Sequence, residues 1–382
     1  MTSTVPAIDL RAAYRAQKDE LDAAIARVTG SGWYVLGPEV TAFEEEFAAY
    51  VGAPYAIGVG SGTEALHVAL VACGVKPGDA VFTVSHTAVA TVAAVELAGA
   101  TPILVDVDPA SYTMSARSLE EAVGAVQRAG TPIPRAIVPV HLYGHPADLD
   151  AIGEIARRHG LLVVEDCAQA HGARLNGRRV GAFGRASAWS FYPTKNLGAL
   201  GDGGMVVTTD PDVAEQARLI RQYGWETRYV SSMPGWNTRL DELQAAVLRV
   251  KLARLELSNA RRRDVARLYA RGLAGTALEL PRVRAGAEPV WHQYVVESPA
   301  RDALRDALLA RGIGVQVHYP LAVHQQPAYW KRLPRIVSLT ATESAAQRVL
   351  SLPMFPEIAD SQVEAVCAAV ADALSPSGHL VA

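Results

Sequence analysis

The sequence predicts an α/β fold in which a large, mostly parallel sheet covered by helices is followed by a smaller α/β domain. Between about residues 55 and 170, short runs of valine, isoleucine and leucine alternate with helix-length segments. This pattern is typical of parallel strands with both faces covered. The pattern changes after about Arg239. The chain has 382 residues, 50% of them hydrophobic, which is enough for one large domain and a second, smaller one.

Two amphipathic helices are predicted ahead of the first strand, in DLRAAYRAQKDELDAAIARVTGSG and PEVTAFEEEFAAYVG. Five strands follow, in YAIGVGSG, AVFTVSHT, TPILVDVD, RAIVPVHLYG and LLVVEDCAQA. Helical segments separate them, among them TEALHVALVACG, TAVATVAAVELAG and DLDAIGEIARRHG. Ligands of such sheets bind at the carboxyl ends of the strands, so the polar residues there are the functional candidates.

A long helical pattern marks the change of organisation, in LDELQAAVLRVKLARLELSNARRRDVARLYARGLAG. The alternating segment VWHQYVVES then predicts a strand, and ALRDALLARGIGVQVHYP follows it. We therefore predict a large domain at residues 1–250 and a small domain at residues 251–382.

Composition and charge argue against several classes of protein. The net charge of −3 favours neither nucleic acid nor an anionic membrane as a partner. The longest apolar stretch, AVATVAAVELAGATPILV, is interrupted by a glutamate, a glycine and a proline, which indicates a buried helix and strand rather than a membrane span. Cys73, Cys167 and Cys367 lie far apart with no CxxC pair. With a start that lacks a signal-peptide pattern, this predicts a cytoplasmic protein.

The segment SGTEAL joins the first predicted strand to a helix and is a candidate phosphate cradle. The first N–H groups of a helix lack internal partners and attract anions, and small residues let the anion approach. An ordinary helix cap by Ser61 or Thr63 explains the same pattern.

Carboxylates and a histidine lie at two other predicted strand ends. Glu165 and Asp166 close LLVVED on opposite faces of the sheet. A buried carboxylate requires a cation, a metal or a protonated ring nitrogen as its partner, although structural strands also end in carboxylates. A metal is disfavoured, because only His171 lies nearby at ligand spacing. His86, in VFTVSHT, is either a packed residue or one that lies flat against an aromatic ligand.

Lys195 lies in the glycine-rich segment SFYPTKNLGALGDGGMVV, without a nearby carboxylate before Asp202. Burial lowers the pKa of a lysine, and a neutral amine is a nucleophile toward carbonyl carbons. Pyridoxal phosphate requires a lysine, an anion cradle, a carboxylate for its ring nitrogen and a flat face against its ring. All four occur at strand ends or adjoining turns of this one predicted sheet.

With these residues assembled, the sequence resembles the DegT/DnrJ/EryC1/StrS family of pyridoxal-phosphate-dependent nucleotide-sugar aminotransferases. The resemblance covers nearly the whole chain. It runs in order through YVLGPEV, VGSGTEALHVAL, VEDCAQAHGA, SFYPTKNLGALGDGG, GWNTRLDELQAAVL, VHYP and SLPMFP. It implies the α/β architecture of fold type I: a large domain with a mostly parallel sheet of the seven-stranded type, and a smaller C-terminal α/β domain.

The resemblance also implies a role for each matching residue at the cofactor. Lys195 would form the internal aldimine and later act as a base, and Asp166 would pair with the protonated ring nitrogen. The other implied contacts are Gln169 at the ring hydroxyl, His86 on the ring face, Gly62, Thr63 and Ser190 at the phosphate, and Asn237 at the phosphate of the neighbouring subunit. A site shared in this way implies at least a homodimer.

The implied reaction moves an amino group from glutamate to a keto sugar carried on a nucleoside diphosphate. Tyr34, His318, Tyr319 and His324 match the segments that border the sugar in relatives. The motifs most resemble members that aminate C3 of a dTDP-linked 3-keto-6-deoxyhexose, but members acting on C4 share nearly all of them. Tyr223 stands where many relatives have histidine.

Two rival functions remain open at this point. A dehydratase of the same family would replace the lysine by histidine, and some dehydratases carry an iron–sulfur cluster, which three scattered cysteines cannot hold. A non-catalytic sensor of the cofactor or of a sugar is the other rival, although no DNA-binding segment or basic face is evident.

Overall fold

The computed structural model describes residues 4–375. Its strands along the chain are β1 (Tyr55–Val59), β2 (Asp79–Val84), β3 (Thr101–Val105), β4 (Ile133–Val138), β5 (Leu162–Asp166), β6 (Arg174–Leu175), β7 (Arg178–Arg179), β8 (Ala186–Ser190), β9 (Gly204–Thr208), β10 (Trp225–Thr227), β11 (Val230–Ser231), β12 (Ala287–Glu288), β13 (Tyr294–Glu297) and β14 (Val349–Leu352). Seven of them form a central sheet in the order β1-β9-β8-β5-β4-β2-β3. Six strands of this sheet are parallel to one another, and β9 is antiparallel to both of its neighbours. The predicted α/β fold with a mostly parallel sheet is confirmed.

Helices cover both faces of this sheet. The α-helices are α1 (Leu10–Arg15), α2 (Lys18–Ser31), α3 (Pro38–Val51), α4 (Gly62–Ala72), α5 (Val89–Leu97), α6 (Ala116–Ala129), α7 (Leu149–His159), α8 (Pro211–Ile220), α9 (Glu242–Leu252), α10 (Leu255–Gly272), α11 (Arg301–Ala310), α12 (Thr340–Arg348) and α13 (Asp360–Leu374). Side chains alternate along each strand. On β2, for example, Val81 packs with α4 and α5, whereas Phe82 packs with α6 and α7. None of the described helices is both long and apolar enough to cross a membrane.

Two of the predicted helices are each divided in the structure. The first breaks at Ala16 and Gln17, between α1 and α2, and the long pattern after Arg239 breaks at Ala253 and Arg254, between α9 and α10. Neither break contains glycine or proline. The long pattern divides because its two halves pack against different helices. Helix α9 lies against α2 and α3, whereas α10 lies against α13.

A second apolar core lies toward the C-terminal end of the chain. The antiparallel pair β13 and β14 packs there with α10, α11 and α13. The N-terminal segment completes this core, since buried Val5 forms a parallel bridge with Ile313. The division at residue 250 remains a prediction, and the ends of both predicted domains, residues 1–3 and 376–382, lie outside the described residues.

Glu242 connects two of the sequence motifs physically. Its side chain is almost fully buried and accepts hydrogen bonds from the N–H groups of Gly37 (2.8 Å), Glu39 (2.9 Å) and Val40 (2.8 Å). These donors belong to the N-terminal turn of α3, where a negative charge is favourable. The carboxylate therefore fixes YVLGPEV against LDELQ.

Replacing Glu242 by alanine should lower the free energy of unfolding by about 3 kcal/mol, because three buried N–H groups lose a charged acceptor. Denaturant unfolding of the purified chain measures this. Glu45→Ala, at an exposed position of α3, is the matched control. Equal midpoints for the two variants would contradict this role of Glu242.

Candidate active site

A cavity of about 240 Å³ lies at the carboxyl ends of the central strands. Its walls come from the turns after β1, β2 and β8 and from the end of β5, which the sheet order brings together. Six of the predicted cofactor residues line it: Gly62, Thr63, Asp166, Gln169, Ser190 and Lys195.

Lys195 lies on a tightly folded loop after β8. A Cβ at Gly198 would come within 2.4 Å of the Pro193 carbonyl oxygen, so the loop requires glycine there. Asn196 anchors the loop by donating to Asn259 Oδ1 (2.9 Å) and to a main-chain carbonyl. Burial lowers the pKa of Lys195 to about 8, and the charge of Asp166 only partly opposes this. About a tenth of the amine is therefore neutral at pH 7, far more than for an exposed lysine.

Asp166 is buried at the end of β5, with donors on both carboxylate oxygens. The N–H of Ala168 donates to Oδ1 (3.1 Å) and the hydroxyl of Thr91 to Oδ2 (2.9 Å). Burial raises the pKa of Asp166, while these two donors and the charge of Lys195 lower it. Each oxygen keeps a lone pair for a further partner.

The neighbouring carboxylate, Glu165, has a structural role on the opposite face. It accepts from the main-chain N–H groups of Gly181 (2.7 Å), Phe183 (2.8 Å) and Gly184 (2.8 Å), and its Oε2 lies 3.1 Å from His141 Nε2. Against the effect of burial, these bonds hold the pKa of Glu165 below its usual value.

Cys167 lies close enough to His141 and Glu165 for the three to resemble a metal site. However, His141 Nδ1 accepts from the Ala147 N–H (2.9 Å), and the Glu165 oxygens already have donors. Burial also raises the pKa of the Cys167 thiol well above its usual value, which disfavours the thiolate that a metal requires. The contacts of this cluster are thus satisfied without an ion.

The anion cradle remains a prediction, and its residues lie at the N-terminus of α4 and the end of β8. Ser61 caps the helix by accepting from the Glu64 N–H (3.2 Å), as the ordinary capping interpretation requires. Gly62 and Thr63 are the first two residues of α4, where N–H groups have no partner within the helix. A Cβ at Gly62 would lie 2.4 Å from Ser190 Cβ. Glycine therefore lets the helix end approach the Ser190 hydroxyl closely.

The orientation of the Gln169 amide is set by its neighbours. Its Oε1 accepts from the Tyr143 N–H (2.7 Å) and its Nε2 donates to the Tyr319 hydroxyl (3.2 Å). Its remaining N–H can therefore act only as a donor toward the cavity. The same contact brings the predicted substrate residue Tyr319 to the edge of the site.

Two predicted cofactor residues are not among the described residues that line this cavity. His86 is fully buried, with its Nε2 2.7 Å from the Tyr143 hydroxyl, and burial lowers its pKa to about 4. Thr87 and Ala88 line the cavity instead. Asn237 is exposed on a segment that pairs with Gln222. Their roles remain predictions.

The other predicted substrate residues lie in different environments. His318 is half-buried with its Nδ1 2.8 Å from Ser351 Oγ, and burial lowers its pKa to about 4. Tyr34 is exposed. His324 is buried, and its ring nitrogens lie 2.7 Å from Ser85 Oγ and 3.0 Å from a Glu343 carboxylate oxygen. Because both nitrogens have partners, the geometry disfavours direct contact between His324 and a substrate.

Sequence reasoning missed three residues at the site: Thr87, Thr91 and Tyr143. Thr87 follows the end of β2, and Thr91 lies in the first turn of α5. The position of Thr87 just beyond a strand end is a signal that could have identified it, whereas no local pattern marks Thr91. Tyr143 has a positive φ of 59°, which the letters HLYG do not reveal.

The donors and acceptors around this cavity fit pyridoxal phosphate. The close approach of Gly62 to Ser190 leaves backbone N–H groups and a hydroxyl for a phosphate. Asp166 offers a buried acceptor that suits a protonated ring nitrogen, and Lys195 offers an amine of lowered pKa for an aldehyde.

Comparisons with known proteins agree with this chemistry. The sequence profile of the DegT/DnrJ/EryC1/StrS aminotransferase family matches residues 15–371. A relative from Streptomyces venezuelae, named dTDP-3-amino-3,4,6-trideoxy-alpha-D-glucose transaminase, is 50% identical over 370 residues, covering 97% of this chain and 96% of that protein. The erythromycin biosynthesis sensory transduction protein EryC1 of Saccharopolyspora erythraea is 49% identical, covering 95% and 98%.

Solved structures give the same result. The crystal structure of S. venezuelae DesV in complex with a ketimine intermediate has a TM-score of 0.93 at 50% identity, covering 97% of this chain and 98% of that one. NtdA from Bacillus subtilis with bound cofactor PMP has a TM-score of 0.87 at 28% identity, covering 97% and 85%. The predicted fold type and the pyridoxal-phosphate cofactor are thereby confirmed. The chain belongs to the DegT/DnrJ/EryC1/StrS aminotransferase family.

Proposed function

We propose that this aminotransferase moves an amino group from glutamate to C3 of a dTDP-linked 3-keto-6-deoxyhexose. The observation that carries the proposal is the placement of Lys195 and Asp166 in one cavity beside the open end of α4. Identity to relatives supports the choice of substrate. The S. venezuelae transaminase and one of the same name from Micromonospora megalomicea subsp. nigra are 50% and 46% identical to this chain.

Six residues that line the cavity have defined tasks under this proposal. Pyridoxal phosphate, when bound, supplies an electron sink for the bonds that break at the amino-bearing carbon. Lys195 would hold the aldehyde group of the bound cofactor, and its Nζ would carry a proton between the reacting carbons. Asp166 would keep the ring nitrogen protonated, because its carboxylate would otherwise be buried without a cation.

The remaining contacts orient the cofactor. The N–H groups of Gly62 and Thr63 and the hydroxyl of Ser190 would bind its phosphate. The free N–H of Gln169 would donate to the ring hydroxyl. Tyr319 lies next to this amide, which supports a sugar site on that side of the cavity.

C3 is favoured over C4 by the names of several relatives. Both 3,4,6-trideoxyglucose transaminases place the amine on C3, as does a dTDP-3-amino-3,6-dideoxy-alpha-D-galactopyranose transaminase from Aneurinibacillus thermoaerophilus, which is 41% identical. A non-catalytic sensor is the second candidate, since EryC1 carries a sensory name and a relative from Geobacillus stearothermophilus is named a pleiotropic regulatory protein.

With pyridoxal phosphate and glutamate, the purified chain should aminate a dTDP-3-keto-6-deoxyhexose at least about tenfold faster than the 4-keto isomer. Coupled detection of 2-oxoglutarate measures both rates. Preference for the 4-keto sugar would overturn the C3 assignment. The sensor would be favoured if the visible absorbance of the bound cofactor did not change on addition of glutamate and neither sugar was turned over.

We also propose that the active form is a homodimer in which Asn237 of each protomer reaches the phosphate site of the other. Asn237 is exposed within its own chain. Large apolar side chains are exposed on the adjoining β10–β11 hairpin and near the start of α3, including Tyr229 (73%), Val230 (60%) and Trp33 (57%). Exposed apolar patches of this kind mark protein interfaces.

Sedimentation equilibrium of the holoenzyme should give the mass of a dimer, because these apolar groups are then removed from water. Asn237→Ala should remain dimeric but release cofactor faster on dialysis. Gln127→Ala, at an exposed amide side chain of α6, is the control. A fully active monomer would contradict the proposal.

A further inference from the structure

A chain of two threonine hydroxyls ends on the carboxylate of Asp166. Thr91, in the first turn of α5, is buried, and its Oγ1 lies 2.9 Å from Asp166 Oδ2. Thr87, in the turn after β2, places its Oγ1 3.0 Å from Thr91 Oγ1. Both threonines line the cavity that Asp166 faces.

The chemistry of these groups fixes the direction of the hydrogen bonds. A carboxylate can only accept, and a hydroxyl has one proton to donate. The proton of Thr91 is therefore directed to Asp166, and Thr91 Oγ1 can interact with Thr87 only by accepting. The chain runs from Thr87 to Thr91 to Asp166, while the Ala168 N–H occupies the other carboxylate oxygen.

A buried carboxyl group in this position has two possible states. Burial favours the neutral acid, which binds a protonated ring nitrogen poorly, whereas donors to the carboxylate favour the ionised form. Burial does raise the pKa of Asp166, and the donors Ala168 and Thr91 and the charge of Lys195 oppose this. The Thr91 side chain donates to Oδ2, so its hydroxyl directly favours the ionised form of Asp166 over the neutral acid.

We infer that Thr91 is a positioning residue, supported by Thr87, which keeps Asp166 ionised and directed toward the ring nitrogen of the cofactor. The inference rests on the proposed function, in which Asp166 pairs with that nitrogen. Thr91 acts through Asp166, so its loss should matter only for ligands that have a ring nitrogen. A purely structural threonine would affect all cofactor analogues alike.

The test compares the binding of two ligands to the full chain freed of cofactor. One is pyridoxamine phosphate, which has no aldehyde and so does not react with Lys195. The other is its 1-deaza analogue, in which carbon replaces the ring nitrogen. Wild type should bind pyridoxamine phosphate at least about tenfold more tightly, as expected for a hydrogen bond between charged groups.

Thr91→Val removes the hydroxyl at nearly constant shape, and should weaken the binding of pyridoxamine phosphate about tenfold without weakening that of the analogue. Thr91→Ser should restore the preference, and Thr91→Ala is a second variant should the valine protein fail to fold. Thr83→Val is the matched control. Thr83 is a buried threonine of β2 that donates to the Val138 carbonyl (2.9 Å), and its replacement should keep the wild-type preference.

The outcomes separate this inference from the proposed function. Equal weakening of both ligands by Thr91→Val, or an unchanged preference, would overturn the role of Thr91 while leaving the pairing of Asp166 intact. A wild-type chain with no preference between the ligands would instead refute the pairing of Asp166, and the inference about Thr91 would be refuted with it.

Discussion

The site depends on a buried amine and a buried carboxylate in one cavity. Its chemistry requires the amine to be neutral and the carboxylate to be ionised. Burial lowers the pKa of Lys195 to about 8 and raises that of Asp166, so both groups are driven toward their neutral forms. A neutral amine suits attack on an aldehyde, but a neutral carboxyl does not suit a protonated ring nitrogen. The surroundings therefore treat the two groups differently. Asp166 receives donors from Thr91 and Ala168, whereas no hydrogen bond of the Lys195 amine occurs among the described residues.

The mostly parallel sheet makes this arrangement possible. The adjacency of β5 and β8 brings Asp166 and Ser190 to the same edge, and α4 approaches that edge because residue 62 has no side chain. Alternation along β5 gives neighbouring carboxylates different tasks. The carboxylate of Glu165 is hydrogen-bonded to three main-chain N–H groups and to His141, while Asp166 faces the cavity. The structural carboxylate holds the loop at residues 181–184 and leaves its neighbour free for chemistry.

Much of this could be predicted from the sequence because strand ends are local features. The apolar runs locate the strands, and the residues just beyond them include Gly62, Asp166 and Gln169. What could not be predicted depends on contacts between distant segments. The pairing of His86 with Tyr143, the two partners of His324 and the breaks in the long helices all arise from packing that no local pattern encodes.

The most direct test is to add pyridoxal phosphate to the cofactor-free chain at a series of pH values, trap the product with borohydride and map the labelled peptide. We expect the label on Lys195, because this residue lines the cavity and burial lowers the pKa of its amine to about 8. The attachment rate should rise about tenfold per pH unit below pH 8 and level off above it, since only the neutral amine reacts. Label on another lysine, or a rate that continues to rise to pH 10 as for an exposed lysine, would contradict it.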